Sequence, residues 1–202
     1  MNKRIIVSIC GASGSIYGIN LLKSLLAMPV EVYLVISKAG GTVLEHETGY
    51  KGGSFQSFLK DKGVVFHKQA RLNAYDTDDF FAPPASGSFK HDGMVIAPCS
   101  MKTLGAIASG ISDNLIHRAA DVCLKEKRPL ILLTRETPLS VIHLRNMYKA
   151  AVSGVTIMPA SPGFYFNPKT VSDLVDSVIA RVLDHLDIKH DLVKEWGKDK
   201  IV

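Results

Sequence analysis

The run Ile5-Ile6-Val7-Ser8-Ile9-Cys10, followed at once by Gly11-Ala12-Ser13-Gly14-Ser15, decides the fold. The first stretch is short, apolar and rich in β-branched residues, as a strand covered on both faces of a parallel sheet must be. The second is a turn of small residues. Beyond it Ile16, Ile19, Leu22 and Leu26 recur at helical spacing as far as Ala27. A strand that feeds a helix through such a turn opens an α/β fold.

The same alternation continues along the chain. Val30–Ile36 reads as a second strand, and a helix carrying Val43, Leu44 and Glu47 follows it. Between residues 48 and 93 the pattern weakens. A short strand is expected near Val64-Val65-Phe66, and Ala82-Pro83-Pro84-Ala85-Ser86-Gly87-Ser88 reads as a turn or loop. Strand character resumes at Met94-Val95-Ile96-Ala97, and helices are expected over Met101–Ala108 and residues 114–125. Leu130-Ile131-Leu132-Leu133 is the next strand. Thr137-Pro138 is a suitable helix start, with Thr as N-cap and Pro first in the helix. Val155-Thr156-Ile157-Met158 is the last strand. Val171, Leu174, Val175, Val178, Ile179, Val182 and Leu186 form the apolar stripe of a final helix, with Thr170 and Asp173 as its capping box. No repeat or linker interrupts residues 1–202, so one domain is expected. Its fold class is α/β, a flavodoxin- or Rossmann-like three-layer arrangement around a mostly parallel sheet.

Composition narrows the function. The 202 residues are 47% hydrophobic and 21% charged, which excludes a largely disordered chain. The net charge of +5 is spread out, with no Lys/Arg run and no basic-aromatic cluster, so nucleic-acid binding is not indicated. The three cysteines, Cys10, Cys99 and Cys123, contain no CxxC pair, which argues against a zinc site or a disulfide framework. The first apolar run is too short for a membrane span and lacks a signal-peptide pattern. A cytoplasmic protein with reduced thiols and no metal is the expectation.

In open parallel sheets, ligands bind beyond the carboxyl ends of the strands. Gly11 to Ser15 offers backbone N–H groups at a helix start, which suits a phosphate as well as it suits a plain tight turn. It is neither a GxGxxG fingerprint nor a Walker loop. Ser37 follows the second strand and Pro98-Cys99-Ser100-Met101-Lys102-Thr103 follows the fourth. Arg135-Glu136 leaves the fifth, where an Arg can grip phosphate bidentately or serve a structural ion pair. Pro159-Ala160-Ser161-Pro162-Gly163-Phe164-Tyr165 follows the last. Four strand ends thus carry groups that suit an anion, without naming it.

These residues resemble a known family, the UbiX/Pad1 flavin prenyltransferases, over nearly the whole chain. The most specific stretches are Ala82 to Ser88, Pro98-Cys99-Ser100 with Lys102-Thr103-Leu104, Arg118-Ala119-Ala120-Asp121-Val122, Leu124-Lys125-Glu126, Arg135-Glu136-Thr137-Pro138-Leu139, His143-Leu144 and Pro162-Gly163-Phe164-Tyr165. The resemblance implies that a dimethylallyl group from dimethylallyl phosphate is joined to N5 and C6 of reduced FMN. The product, prenylated FMN, would serve a UbiD-type decarboxylase. It also implies a homo-oligomer, usually a dodecamer, with sites at subunit junctions. Carried over, FMN would be held by Gly11, Ala12, Ser13, Ser37, Ser100, Met101, Lys102, Thr103 and Arg135, and the prenyl phosphate by Lys125, Arg135, Tyr165 and Arg181. Ser13, Glu47, Lys125 and Glu136 would be catalytic, with Glu136 holding Lys125 or assisting proton transfer.

Two positions depart from the family pattern. Phe80 stands where members often carry Trp, and His117 where they often carry Glu; His117 receives no role here. Two other functions compete. An FMN-dependent decarboxylase of the cysteine-decarboxylase type would carry a Pro-x-Met-Asn-x-x-Met-Trp clamp, and the one Trp, Trp196, lies outside any such motif. A non-catalytic flavin carrier would have no need for Lys125, Glu47, Tyr165 and Arg181 together.

Overall fold

The computed structural model describes residues 2–193. Six strands form one sheet, every pair parallel, in the order β3-β2-β1-β4-β5-β6. They are β1 (Lys3–Ile9), β2 (Val30–Ile36), β3 (Arg71–Tyr75), β4 (Gly93–Cys99), β5 (Leu130–Thr134) and β6 (Thr156–Pro159). The helices are α1 (Ser15–Leu26), α2 (Lys38–Thr48), α3 (Phe55–Asp61), α4 (Met101–Ala108), α5 (Leu115–Lys125), α6 (Val141–Val152) and α7 (Val171–His185), with a 3-10 turn at Pro83–Ala85.

The apolar runs become the inner strands. Every residue of β4 and β5 is buried, as are the last five of β1. A fully buried Ile, Leu or Val contributes roughly 1.5–3 kcal/mol, so these strands anchor the sheet. On one face Ile6, Met94, Ile96, Leu130 and Leu132 join Leu115, Ile116 and Ala119 of α5 in a single cluster. On α1, Leu22 and Leu26 of the expected stripe are buried together with Leu21 and Leu25, whereas Ile16, at the start of the helix, is exposed. This helix comes so close to the sheet that a Cβ on Gly18 would lie 2.5 Å from the carbonyl oxygen of Ala97.

The strand order places the change of winding direction between β1 and β4. A cleft opens there because the connections leave on opposite faces. The turn after β1 and the Pro98-Cys99-Ser100 turn after β4 therefore face one another; Cys10 N–H donates to the Pro98 carbonyl at 3.1 Å. The Ala97–Pro98 and Thr137–Pro138 peptides are cis.

Two expectations about elements are corrected. Residues 64–66 are not a strand; the third strand is Arg71–Tyr75, preceded by the unforeseen helix α3. As an edge strand with partly exposed Arg71, Leu72, Asn73 and Tyr75, β3 never needed the apolar run that marks an inner strand. Val65 is exposed instead, and His67 N–H ties this segment to the Leu26 carbonyl. Nor does α6 start at Thr137-Pro138. Its N-cap is Ser140, whose hydroxyl accepts from His143 N–H while Ser140 N–H donates to His143 Nδ1, so both backbone groups are satisfied. The capping box of Thr170 and Asp173 on α7 forms as expected.

The chain divides into two compact units, one ending at Ala160 and one beginning at Ser161. The sheet belongs to the first and α7 to the second.

Candidate functional site

The glycine-rich turn is closed by a carboxylate. Gly14 adopts a left-handed conformation (φ 102°) as the N-cap of α1, and as a glycine it has no side chain to cap the helix. The last turn of α2 supplies one. Glu47 accepts from Gly14 N–H at 3.0 and 3.1 Å through its two oxygens, and from Ser15 N–H at 2.7 Å. Partial burial pushes the Glu47 pKa up, but bonds from the Ser13 hydroxyl and from the Ser15 and Gly14 backbone outweigh it and hold the pKa below the usual glutamate value. From the other side, Arg135 Nε donates to the Ser13 carbonyl at 3.1 Å, and Arg135 N–H reaches the Cys99 carbonyl at 3.3 Å. Ser13, Glu47 and Arg135 thus form one cluster fed by β1, α2 and β5.

Beside this cluster lies a cleft of about 990 Å³ along the carboxyl ends of β1, β2, β3 and β4, near the upper end of the usual range for small-molecule sites. Four helices begin in its wall, the short α3 at Ser54 and the longer α2, α4 and α5. Ser37 caps α2 by accepting from Gly40 N–H at 2.9 Å. Ser100 caps α4 by accepting from Thr103 N–H at 3.3 Å while its hydroxyl bonds that of Thr103 at 3.2 Å. Asn114 caps α5 by accepting from His117 N–H at 2.9 Å. Each helix start carries partial positive charge, and Lys38 and Lys102 add full charges to the same wall. Beneath it, burial pushes the Cys10 thiol up to about 11, and contacts with Thr103, the Ser100 backbone and Ser37 offset this only in part. Cys10 is therefore neutral at physiological pH, and the seat keeps its positive field.

Of the expected flavin-binding residues, Gly11, Ser37, Ser100, Lys102 and Thr103 line this cleft. Ser13 and Arg135 stand in the adjoining cluster. Ala12 is buried, and Met101 packs against the hydrophobic core. The sequence reading passed over Lys38, Asp113, Asn114 and His117, all of which line the cleft. The signal for Asn114 was its place before the apolar stripe of α5, which marks a helix start but not which way that start faces.

Lys125 lies elsewhere. It ends α5, whose start lies in the cleft wall, and at 1.5 Å per residue it sits roughly 15 Å further along that helix. Its Nζ pairs with Glu126 Oε1 at 2.6 Å, above Gly87. Glu136 does not hold it; Glu136 accepts from Thr137 N–H at 3.0 Å. This corrects the expected Glu136–Lys125 contact: in one chain the two residues sit at opposite ends of the strands. A second recess, of about 600 Å³, is lined by Phe80, Phe81, Ser86, Gly87, Ser88 and Arg118. Arg118 Nε donates to the Ala85 carbonyl at 3.0 Å, and its guanidinium meets Asp121 at 2.8 Å.

The second unit carries the remaining two expected residues. Tyr165 is exposed, edge-on to Phe166 at 6.0 Å between ring centres, and its ring leaves no room for a Cβ on Gly163. Arg181, exposed on α7, pairs with Asp184 at 2.6 Å. Trp196 lies outside the described residues. Among the described residues no group of three His, Cys, Asp or Glu side chains is placed to hold a metal ion, and no helix is long and apolar enough to cross a membrane.

A parallel sheet in this order, with a cleft walled by helix starts and lysines at its switch point, is an α/β fold of the kind that binds ligands beyond its strand ends. The Flavoprotein family model matches residues 1–193. The flavin prenyltransferase UbiX of Pseudomonas aeruginosa is 46% identical over 204 aligned residues, 99% of this chain and 97% of that protein. Two solved structures align over nearly their whole length. AnUbiX (PadA1) in complex with FMN and dimethylallyl pyrophosphate has a TM-score of 0.88 and 40% identity, covering 99% of this chain and 100% of that one. A dodecameric FMN-dependent Ubix-like decarboxylase from Escherichia coli O157:H7 has a TM-score of 0.85 and 43% identity, covering 96% and 99%. The chain belongs to the UbiX flavin prenyltransferases, within the Flavoprotein family.

Proposed function

We propose that this protein is a flavin prenyltransferase that joins a dimethylallyl group from dimethylallyl phosphate to N5 and C6 of reduced FMN. The observation that carries the reading is the cleft at the β1–β4 switch point. The starts of α2, α4 and α5, with Ser37, Thr103 and two lysines, make a seat there that suits an anion, next to Ser13, Glu47 and Arg135. The donor set fits FMN, since hydroxyls, backbone N–H groups and ammonium groups suit a phosphate monoester.

When bound, reduced FMN supplies the nucleophilic nitrogen and ring carbon. The chain's own residues bind, orient and neutralise charge. Ser37, Ser100, Lys102 and Thr103 hold the flavin, with Gly11 allowing close backbone approach. Arg135 fixes the turn that carries Ser13, and Glu47 stays ionised beside it, where a carboxylate favours positive charge on the allyl group. Lys125, Arg135, Tyr165 and Arg181 hold the prenyl phosphate and meet the charge that grows on it as the allylic C–O bond breaks. Two or three charge-assisted bonds, roughly 1.5–3 kcal/mol each, stand in for a metal ion.

Lys125 is too far along α5 to join Ser13 and Glu47 of its own chain, so the complete site draws Lys125 from a neighbouring copy. The exposed apolar residues Val141, Ile142, Leu144, Tyr148 and Val152 on α6 support such an assembly, and a dodecamer is the form we expect. Residues 1–202 act as one flavoprotein domain within it. The product passes to a UbiD-type decarboxylase, in the cytoplasm. The test is anaerobic incubation of the protein with reduced FMN and dimethylallyl phosphate, followed by mass measurement of the extracted flavin. A five-carbon addition is expected; folded, FMN-loaded protein that adds none would overturn the reading.

A further inference from the structure

We propose that Gly40 is a positioning residue of this site. Having no side chain, it lets α2 sit directly on the end of β1, and that seat places Ser37 at the cleft and Glu47 on the glycine-rich turn together. The proposal rests on the reading of cleft and turn as a flavin prenyltransferase site.

The two residues of α2 with roles in the site stand at its two ends. Ser37 is the N-cap and lines the cleft. Glu47, in the last turn, accepts from Gly14 and Ser15 N–H. By helical rise they lie roughly 15 Å apart along the axis. The buried residues of the helix are Gly40 and Leu44, four apart and so on one face. Gly40 meets the end of β1. A Cβ there would overlap the Ile9 carbonyl oxygen, the same oxygen that accepts Ser37 N–H at 3.0 Å. It would also lie 3.0 Å from Ser37 Oγ, which accepts Gly40 N–H at 2.9 Å. The β1 side of the seam is equally bare. A Cβ on Gly11 would lie 2.6 Å from Ala39 Cβ. Each glycine thus receives an atom of the other element.

Close approach, and not backbone conformation, calls for glycine at this position. Gly40 is not among the residues with positive φ, and glycine inside a helix is less favourable than alanine. Its neighbour Gly41 has nothing within 4 Å of a new Cβ, so it shares the helix but not the seat. Gly40 does not line the cleft either, so a methyl group there acts on the ligand only through α2. Ile9 is paired with Ile36 in the sheet, and its carbonyl has little freedom to yield. The first turn of α2 must lift instead. With Leu44 held in the core, the helix tilts, and Ser37 and Glu47 both leave their places.

The test measures FMN affinity, and turnover as five-carbon addition to reduced FMN. The variants are Gly40→Ala, Gly41→Ala, Glu47→Gln and Gly40→Ala/Glu47→Gln, each compared with the wild type. Gly40→Ala is expected to bind FMN more weakly and to lose roughly ten- to a hundredfold in turnover at saturating FMN and dimethylallyl phosphate. Gly41→Ala matches the wild type in both. Glu47→Gln should cost a smaller factor in the Gly40→Ala background than alone, because there Glu47 has already left Gly14 and Ser15. Folded Gly40→Ala with wild-type turnover would overturn the proposal. So would an equal Glu47→Gln loss in both backgrounds, the outcome for a glycine that serves folding alone. Should Gly40→Ala fail to fold, Gly11→Ala and Gly11→Ala/Ala39→Gly test the same seam. Turnover should fall in the first and recover in the second, which lacks the atom that the new methyl group meets; no recovery sinks the seam. A wild type that adds no five-carbon unit fails the prenyltransferase reading instead, and the FMN affinities of the same variants then decide the role of Gly40.

Discussion

Arg135 Nε, at the carboxyl end of β5, donates to the backbone carbonyl of Ser13, 122 residues earlier, at 3.1 Å. The bond joins two strand ends that are not neighbours in the sheet, since β4 lies between β1 and β5. It holds the glycine-rich turn from one side while Glu47 holds it from the other. Ser13 is therefore fixed by groups from two distant parts of the chain, which suits the place beside the flavin proposed for it.

Removing the Glu47 cap should loosen this turn. Glu47→Ala leaves the Gly14 and Ser15 N–H groups without their acceptor, at a cost of about 1 kcal/mol, or roughly 2–4 °C in melting temperature. Glu47→Gln keeps an acceptor and should lose less. Because the Glu47 pKa is lowered in the folded protein, its contribution is present above the unfolded glutamate value of 4.5 and fades as pH falls through the folded value. Melting curves of wild type and Glu47→Gln should therefore converge in acid; a constant gap across pH would remove the charge from the explanation.

Two glycines should respond in opposite directions to the same change. Gly18→Ala brings a Cβ within 2.5 Å of the Ala97 carbonyl, a backbone atom in the middle of the sheet, so α1 must move outward. A loss of about 1–3 kcal/mol is expected in denaturant titration. Gly41→Ala, inside α2 with nothing within 4 Å of the new Cβ, should stabilise by about 0.5–1 kcal/mol.

A buried histidine outside the site sets an acid limit. Burial, with help from the nearby Arg128 charge, pushes the His91 pKa down to about 4, against 6.5 for the free side chain. Between those values the unfolded chain takes up a proton that the folded one refuses. Stability falls as pH drops from 6.5 towards 4, by up to about 1.4 kcal/mol per pH unit. The difference in urea midpoint between pH 7 and pH 5 should shrink in His91→Gln, whatever its baseline stability. An undiminished difference would place the acid sensitivity elsewhere.

Lys125→Ala should keep FMN affinity and lose most turnover, because Lys125 stands well away from the cleft of its own chain. Mixing Lys125→Ala subunits with Arg135→Ala subunits provides the sharper measurement. Unfolding and co-refolding of the pair should restore part of the activity that neither has alone, since some junctions then hold an intact Arg135 from one copy and an intact Lys125 from another. Mixed assemblies as inactive as the parents would return Lys125 to a purely local role.

Much of the fold was legible along the chain, and the reason is burial. Inner strands such as Ile5 to Cys10 and Leu130 to Leu133 must be apolar throughout, so they announce themselves. The edge strand Arg71–Tyr75 did not, because its partly exposed residues carry no such demand. The start of α6 was misplaced for a similar reason: Thr137-Pro138 and Ser140 are both plausible caps locally, and the reciprocal bonds with His143 decide between them. The site followed the same division. Gly11, Ser37, Ser100 and Thr103 could be found because each follows a strand, but Asp113 and His117 sit at the start of a crossover helix whose facing no local pattern records.

The glycine-rich turn after β1, the alternation of strands and helices and the residue types at each strand end were determined by the sequence alone, because buried apolar periodicity and turn chemistry are local properties. Tertiary structure decided what those residues face. It set Glu47 and Arg135 on either side of Ser13, it brought His117 to the wall of the cleft, and it sent Lys125 to the far end of α5. Those relations depend on strand order and helix direction, which are fixed only when the whole sheet packs.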